Sequence, residues 1–246
     1  MNPLPILHAE TFLQYPEVLL AMSTRRGGVS PDPYGMNLSF RVGDAEENVR
    51  LNRALFFDTL KISEAELAIP QQVHSGAVKV AHAPGRYEHC DALVTDRRRV
   101  FLSVSVADCV PIFLFEPKKK VVAAVHAGWR GTQARIAATT IEVMHREFGC
   151  DPTEMIAFIG PSARSCCYEV GKDVATQFEP RFITEERGRL LLDLLACNVS
   201  QLHGSGVPLS SIEASPHCTI CTSDVYHSYR RDGQRSGRML GVLGLL

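Results

Sequence analysis

Three apolar, β-prone runs follow one another in the middle of the chain, at residues 101–106, 110–115 and 121–126, with only a few turn residues between them. Runs this short and this apolar read as strands. Residues 18–23, 77–81, 92–95, 155–159 and 239–246 read the same way, and 24–38 is a loop rich in Gly, Pro and Asn. Helical patterns lie between the strands. Asp44 is placed to cap a helix running to about Leu60, with Val49, Leu51, Ala54, Leu55 and Phe57 on its apolar side. Gly131-Thr132 opens a second helix, on which Ile136, Thr140, Ile141, Met144 and Phe148 recur at helical spacing until Gly149 stops it. Asp193 begins a third, to about His203. Adjacent strands mixed with helices predict an α+β (mixed α/β) fold, not a regular parallel doubly wound sheet.

No repeat, low-complexity tract or Gly/Ser linker interrupts the chain, so residues 1–246 are expected to form a single domain. The formal net charge is -1, which gives no electrostatic case for a nucleic-acid partner. The basic runs 97–99 and 118–120 lie between apolar strands and read as polar turns. The N-terminal segment has no basic stretch followed by an apolar core, and no apolar run approaches the roughly 20 residues of a membrane span. A cytoplasmic, monomeric protein with no membrane contact is expected. Its eight cysteines would then be reduced, most of them packed as small apolar residues.

Three groups of residues are candidates for chemistry. His74, Cys109 and His126 all sit at strand ends or in tight breaks, where side chains converge on clefts. Imidazole and thiolate are favoured zinc ligands, and three protein ligands leave a fourth position open for catalysis. The long gaps between them match no short zinc-finger signature, and each residue alone reads as ordinary packing or a surface hydrogen bond. Cys218 and Cys221 form a C-x2-C pair, with Cys166, Cys167 and His217 as possible completions. By spacing alone this is the better-known metal or redox signature, but adjacent cysteines chelate one ion poorly, and packing remains the alternative. The third group is the arginines beside Gly and Asn, including Arg25, Arg41 and Arg130. Their guanidinium forks suit phosphate or carboxylate, against the plain alternative of surface ion pairs. Walker A, G-x-G-x-x-G and nucleophile-elbow motifs are absent, which removes the commonest nucleotide-fold and serine-hydrolase readings.

Taken in order, QQVHSG, CDALVTD, SVSVADCVPIFLFEP, VAAVHAGWRGT, FIGPSARSCCYEVG and CTICTSDVYHSYRRDGQRSGRMLGVLGL resemble the bacterial laccase-domain family, as does the opening TRRGGVSPDPYGMNLSFRVGD. This family was long labelled multicopper polyphenol oxidase. It is now regarded as a group of zinc-dependent purine nucleoside phosphorylases that can also deaminate adenosine, and some members are called peptidoglycan editing factors. The resemblance spans about residue 20 to the end. It implies a four-layer α/β/β/α arrangement and one zinc ion held by His74, Cys109 and His126, which would be the catalytic residues. It also implies small-molecule substrates: a purine nucleoside (adenosine, inosine, guanosine or methylthioadenosine) and phosphate. On that reading Arg25, Arg41 and Arg130 are candidates for phosphate, and Asn37 for the sugar or base. Asp108 is a candidate acceptor for a ligand imidazole or for a proton. Alternatives are a copper-dependent phenol oxidase and an amidase acting on cell-wall precursors. With nine His but no His-x-His pair, the chain is poorly equipped for several coppers.

Overall fold

The three central runs do not form one meander; they divide between two sheets. The computed structural model describes residues 4–246. Its elements begin with β1 (Ile6–Leu7), β2 (Val18–Ser23), α1 (Glu46–Leu60), β3 (Leu67–Pro70), β4 (Val78–Val80), β5 (Gly85–Tyr87) and β6 (Ala92–Thr95). The central run follows as β7 (Phe101–Val106), β8 (Val110–Glu116) and β9 (Val121–Ala127), then α2 (Trp129–Gln133), α3 (Ile136–Phe148) and β10 (Ile156–Ile159). The last part holds β11 (Glu169–Val170), α4 (Lys172–Ala175), β12 (Ile183–Glu186), β13 (Arg189–Leu192), α5 (Leu194–Gly204), β14 (Ile212–Ala214), α6 (Tyr229–Asp232) and β15 (Met239–Leu245).

One six-stranded sheet has the order β1-β2-β15-β7-β3-β5, and the other β14-β10-β8-β9-β6-β4. Both are mixed: β3 runs parallel to β5 and β7, and β6 parallel to β4, whereas β15 is antiparallel to β2 and β7. A small third sheet, β11-β13-β12, packs Leu192, Val170 and Ile183 against the helix-side core of the second. The break 107–109 therefore carries the chain from one large sheet to the other, and Cys109 sits in that crossing.

The period of two along each strand builds the layers. On β8, Phe113 and Phe115 face the first sheet, while Val110, Ile112 and Leu114 face helices. On β9, Val122 and Ala124 point inward, with Val121, Ala123 and Val125 outward. The inner faces meet Leu102, Val104, Leu243 and Leu245 of the first sheet. Ile136, Ile141 and Met144 of α3 cover the second sheet together with α5. Phe56, Phe57 and Leu60 of α1 cover the first, against Phe101, Leu240 and Val242. The order of layers is α/β/β/α. Two glycines of β15 let neighbours approach: a Cβ on Gly241 would meet Phe113 Cζ at 2.3 Å, and one on Gly244 would meet Phe101 Cδ1 at 2.4 Å.

Three local expectations are corrected. The α1 N-cap is Ala45, with no side-chain cap bond; Asp44 instead accepts hydrogen bonds from Ser30 Oγ and Asn37 Nδ2 and ties down the preceding loop. Leu51 and Leu55 are exposed, and the buried face of α1 includes Asn52 and Arg53. Those two hold the loop from inside: Asn52 Nδ2 donates to Ser30 Oγ and to the carbonyls of Gly35 and Asn37, and Arg53 Nη1 donates to the Leu38 carbonyl. The helix expected from Gly131 is two helices, because Arg135 turns left-handed (φ 60°) and separates α2 from α3. Gly149 and Asp193 do act as the stop and the cap. No described helix is long and apolar enough to cross a membrane.

Candidate metal centre and catalytic cavity

His126 is the last inward-facing residue of β9, at the end of the inter-sheet core, and it is almost wholly buried. Cys109 lies beside it in the crossing between β7 and β8. His74 comes from the loop after β3, where its backbone is left-handed (φ 60°). The structure brings all three together. One ligand atom from each lies within 4.8 Å of the other two, and His74 Nε2 is 3.9 Å from Cys109 Sγ. The two imidazoles meet edge to face, with centroids 4.8 Å apart. Gly128 leaves room for this meeting, since a Cβ there would stand 3.0 Å from His74 Cδ2 and 3.1 Å from Cys109 Sγ.

One fully buried carboxylate organises the group. Asp91 Oδ1 is 2.8 Å from His126 Nδ1 and accepts the His74 backbone N–H. Its Oδ2 accepts from the Val73 and Ser75 backbones and from Ser75 Oγ. The same side chain thus shapes the loop carrying His74 and orients the His126 ring. Nothing in the sequence singles out Asp91, although it lies in the CDALVTD segment. Asp108, the expected imidazole acceptor, turns its oxygens the other way, toward Thr219 Oγ1 and the Arg230 N–H, each at 2.6 Å.

Electrostatics suit a cation. Burial alone would push the Cys109 thiol up, but the charge and hydrogen bonds of His126, then of His74, bring it down to about 6. Burial likewise opposes charge on His126, yet Cys109 and Asp91 raise it to about 9. A thiolate beside an imidazolium is the form this pocket favours when only protons compete. With Nδ1 directed at Asp91, His126 Nε2 is left to ligate, and the donor set of one thiolate and two imidazoles fits a zinc-like ion with an open position.

The cluster opens onto a cavity of about 610 Å³ that runs along the outer face of β7 toward α1. Ser103, Ser105 and Gln72 line it, with Arg41, Arg86, Arg238 and Tyr229 around it. Gln72 is fixed by reciprocal bonds to the Ser105 backbone. Arg238 Nη1 is held by the carbonyls of Ser236 and Gly237, which presents a pre-oriented guanidinium. Among the expected substrate residues, Arg41 lines the cavity; Arg25, Asn37, Asp108 and Arg130 do not. Arg25 bonds to the Ser223 carbonyl and Asp32, and Asn37 is buried in bonds to Ser39, Asp44 and the Arg238 backbone. Arg130 stacks over Trp129 at 4.2 Å.

The second sequence candidate also assembles. Cys166, Cys167, Cys218 and Cys221 converge, although Cys166 and Cys167 are adjacent in sequence. A tight turn makes this possible: the N–H groups of Cys167 and Tyr168 both bond to the Arg164 carbonyl. His217 is not part of that group.

Comparison with known proteins agrees with this architecture. Residues 19–246 match the family described as multi-copper polyphenol oxidoreductase laccase. A purine nucleoside phosphorylase of Deinococcus radiodurans is 40% identical over 247 residues, covering 98% of this chain and 93% of its own length. A protein from an unknown prokaryotic organism, named adenosine deaminase RL5, is 35% identical, covering 92% and 94%. The crystal structure of YfiH from Bacillus licheniformis superposes with a TM-score of 0.91 at 31% identity, covering all of both chains. The chain belongs to the laccase-domain family, and its His74–Cys109–His126 cluster lines the cavity described above.

Proposed function

We propose that this chain is a zinc-dependent purine nucleoside phosphorylase with adenosine deaminase activity at the same site. The observation that carries the reading is the three-donor cluster opening onto a cavity furnished with fixed arginines and hydroxyls. Its relatives of the same length bear the names purine nucleoside phosphorylase and adenosine deaminase. In phosphorolysis, a phosphate oxygen bonds to the sugar C1′ as the bond to the base breaks through an oxocarbenium-like sugar, giving ribose 1-phosphate and free base.

The residues divide the work. His74, Cys109 and His126 hold the ion, and Asp91 keeps the His126 ring in its ligating orientation. When bound, zinc supplies Lewis acidity, toward a substrate oxygen in phosphorolysis and toward the attacking water in deamination. Arg238 and Arg41 hold phosphate through charge-assisted hydrogen bonds. Ser103, Ser105 and Tyr229 offer hydroxyls to the nucleoside.

Copper is the rival ion, since two His and one Cys also form the equatorial set of blue-copper sites. Those sites add a weak axial ligand, commonly methionine and in some cases glutamine; among the described residues no methionine lines this cavity, and both polar atoms of Gln72 are engaged by the Ser105 backbone. The test is direct. Zinc-loaded protein is incubated with inosine or adenosine, with and without phosphate, and base and inosine are followed by chromatography. Phosphate-dependent release of base is expected. No release from fully loaded protein would refute the phosphorylase reading, and phenol-dependent oxygen uptake by copper-loaded protein would replace it.

A further inference from the structure

The four sulfurs away from the cavity have the dimensions of a metal centre in their own right. Cys221 Sγ lies 3.7 Å from Cys166 Sγ and 3.1 Å from Cys167 Sγ, and all four sulfurs lie within 4.8 Å of one another. Four sulfurs in a tetrahedron around zinc, at Zn–S of about 2.3 Å, stand about 3.8 Å apart. The spread matches a single ion; a multi-iron cluster would need its cysteines farther apart. All four are free thiols.

Backbone and charge around Cys218 favour a negative sulfur there, whereas burial and the neighbouring thiols push Cys166 and Cys167 up. The backbone N–H groups of Cys221, Arg164 and Ile220 point at Cys218. Arg164 lies close enough to feel the charge of Asp193 first, and then that of Cys218 and Cys166. It donates to the carbonyls of Ser215 and His217, yet its Nη1 is buried with no acceptor. A tetrathiolate zinc carries net charge -2, and a guanidinium with an unused donor is the counter-charge such a site calls for.

We propose that Cys166, Cys167, Cys218 and Cys221 bind one structural zinc ion, separate from the ion at His74, Cys109 and His126. Four protein ligands leave no open position, so this ion braces and does not react. It joins the turn after β10 to the segment before α6. These are already linked by the bridge of Ser162 to Cys218 and by the Thr219 N–H on the Ser162 carbonyl at 3.0 Å. Both segments then converge on Asp108: the Ala163 N–H bonds to its carbonyl, and Thr219 and Arg230 bond to its carboxylate. Asp108 directly precedes Cys109. The bracing ion therefore fixes the backbone from which a ligand of the catalytic ion projects.

The proposal is tested on the full chain, purified under reducing conditions, by metal analysis of single-site and double-site variants. About two zinc ions per chain are expected in the wild type, with about one in Cys109→Ala and about one in Cys218→Ser/Cys221→Ser. Because Cys218 is buried, Cys166→Ser, at an exposed position, is measured in parallel. In the Cys109→Ala background, cobalt-loaded protein should show strong thiolate-to-cobalt charge transfer that Cys166→Ser diminishes. Folded Cys109→Ala without zinc, or native protein with disulfides among these four cysteines, would overturn the second site. One ion kept in Cys109→Ala but absent from the site of Cys109 in the wild type would instead support this site and remove the first.

Discussion

The two clusters use cysteine in opposite ways, and the difference lies in what surrounds each. At Cys109 one thiolate shares its position with two imidazoles, a buried carboxylate orients one of them, and a cavity of about 610 Å³ begins where the donors end. At Cys166, Cys167, Cys218 and Cys221 sulfur supplies every donor, and none of the four lines that cavity. Mixed donors with an open face suit an ion that must meet substrate; four thiolates suit one that holds loops together. The contrast also explains the placement. The open cluster sits where the chain crosses between the large sheets, at the end of a rigid core, whereas the closed one ties loops that pair only at the isolated bridge of Ser162 to Cys218.

The sharpest break of this contrast is Cys109→Ala. Activity should fall at least about 10³-fold, a loss of about 4 kcal/mol of transition-state stabilisation, while circular dichroism stays that of the wild type. Phosphate-dependent base release is the measurement. Full activity in this variant would show that the open cluster is not the catalytic one.

Asp91→Asn tests the orienting carboxylate, which the all-sulfur cluster lacks. The amide keeps the size but loses the charge that faces His126 Nδ1 and the N–H groups of residues 73–75. Zinc affinity at the open cluster should fall by about 10- to 100-fold, read by competition with a chromophoric chelator, with little change at the four cysteines. Equal loss at both centres would mean that Asp91 serves global stability alone.

Arg238→Ala removes a guanidinium from the cavity and touches neither cluster. Loss of a charge-assisted hydrogen bond of about 1.5 kcal/mol should raise KM for phosphate about tenfold. Arg25→Ala, outside the cavity, should leave that KM unchanged. The reverse pattern would move the phosphate position to the Arg25 side.

Much of this was legible in the sequence, for physical reasons that also mark where legibility ends. Apolar runs such as 110–115 and 121–126 declare themselves because both faces of those strands are buried. Gly149 and Asp193 act through local backbone chemistry that needs no distant partner. The candidate metal ligands His74, Cys109 and His126 are legible through motif order, which places them in one family, and not through their spacing. What stayed hidden depends on contacts between remote segments. Asn52 and Arg53 look like a solvent face until the loop 24–44 folds onto them. Asp91 looks like a turn residue until His126, 35 positions on, reaches it. Cys166 and Cys167 look unfit to share an ion until the Arg164 turn brings both beside Cys221.

The smallest effect is the most diagnostic of how the two clusters differ before any metal binds. In chelator-treated, reduced protein, the thiol of Cys109 is held at about 6, against burial, by His126 and His74. A depressed value keeps the thiolate at neutral pH and surrenders it only as pH falls through about 6. Between pH 8 and pH 7 its thiolate fraction, and hence its alkylation rate by iodoacetamide, should drop only by about a tenth. An ordinary thiol at about 8.5 would slow about eightfold over the same interval. Cys166, pushed up to about 11 by burial and by its bond with Cys221, should slow about tenfold. Peptide mass spectrometry separates the two rates in one sample. A flat profile at Cys109 beside a steep one at Cys166 would show that the imidazoles prepare the first sulfur for its ion, while the second acquires its charge only with the metal. Parallel slopes would remove that distinction and leave the cavity alone to explain why one cluster reacts.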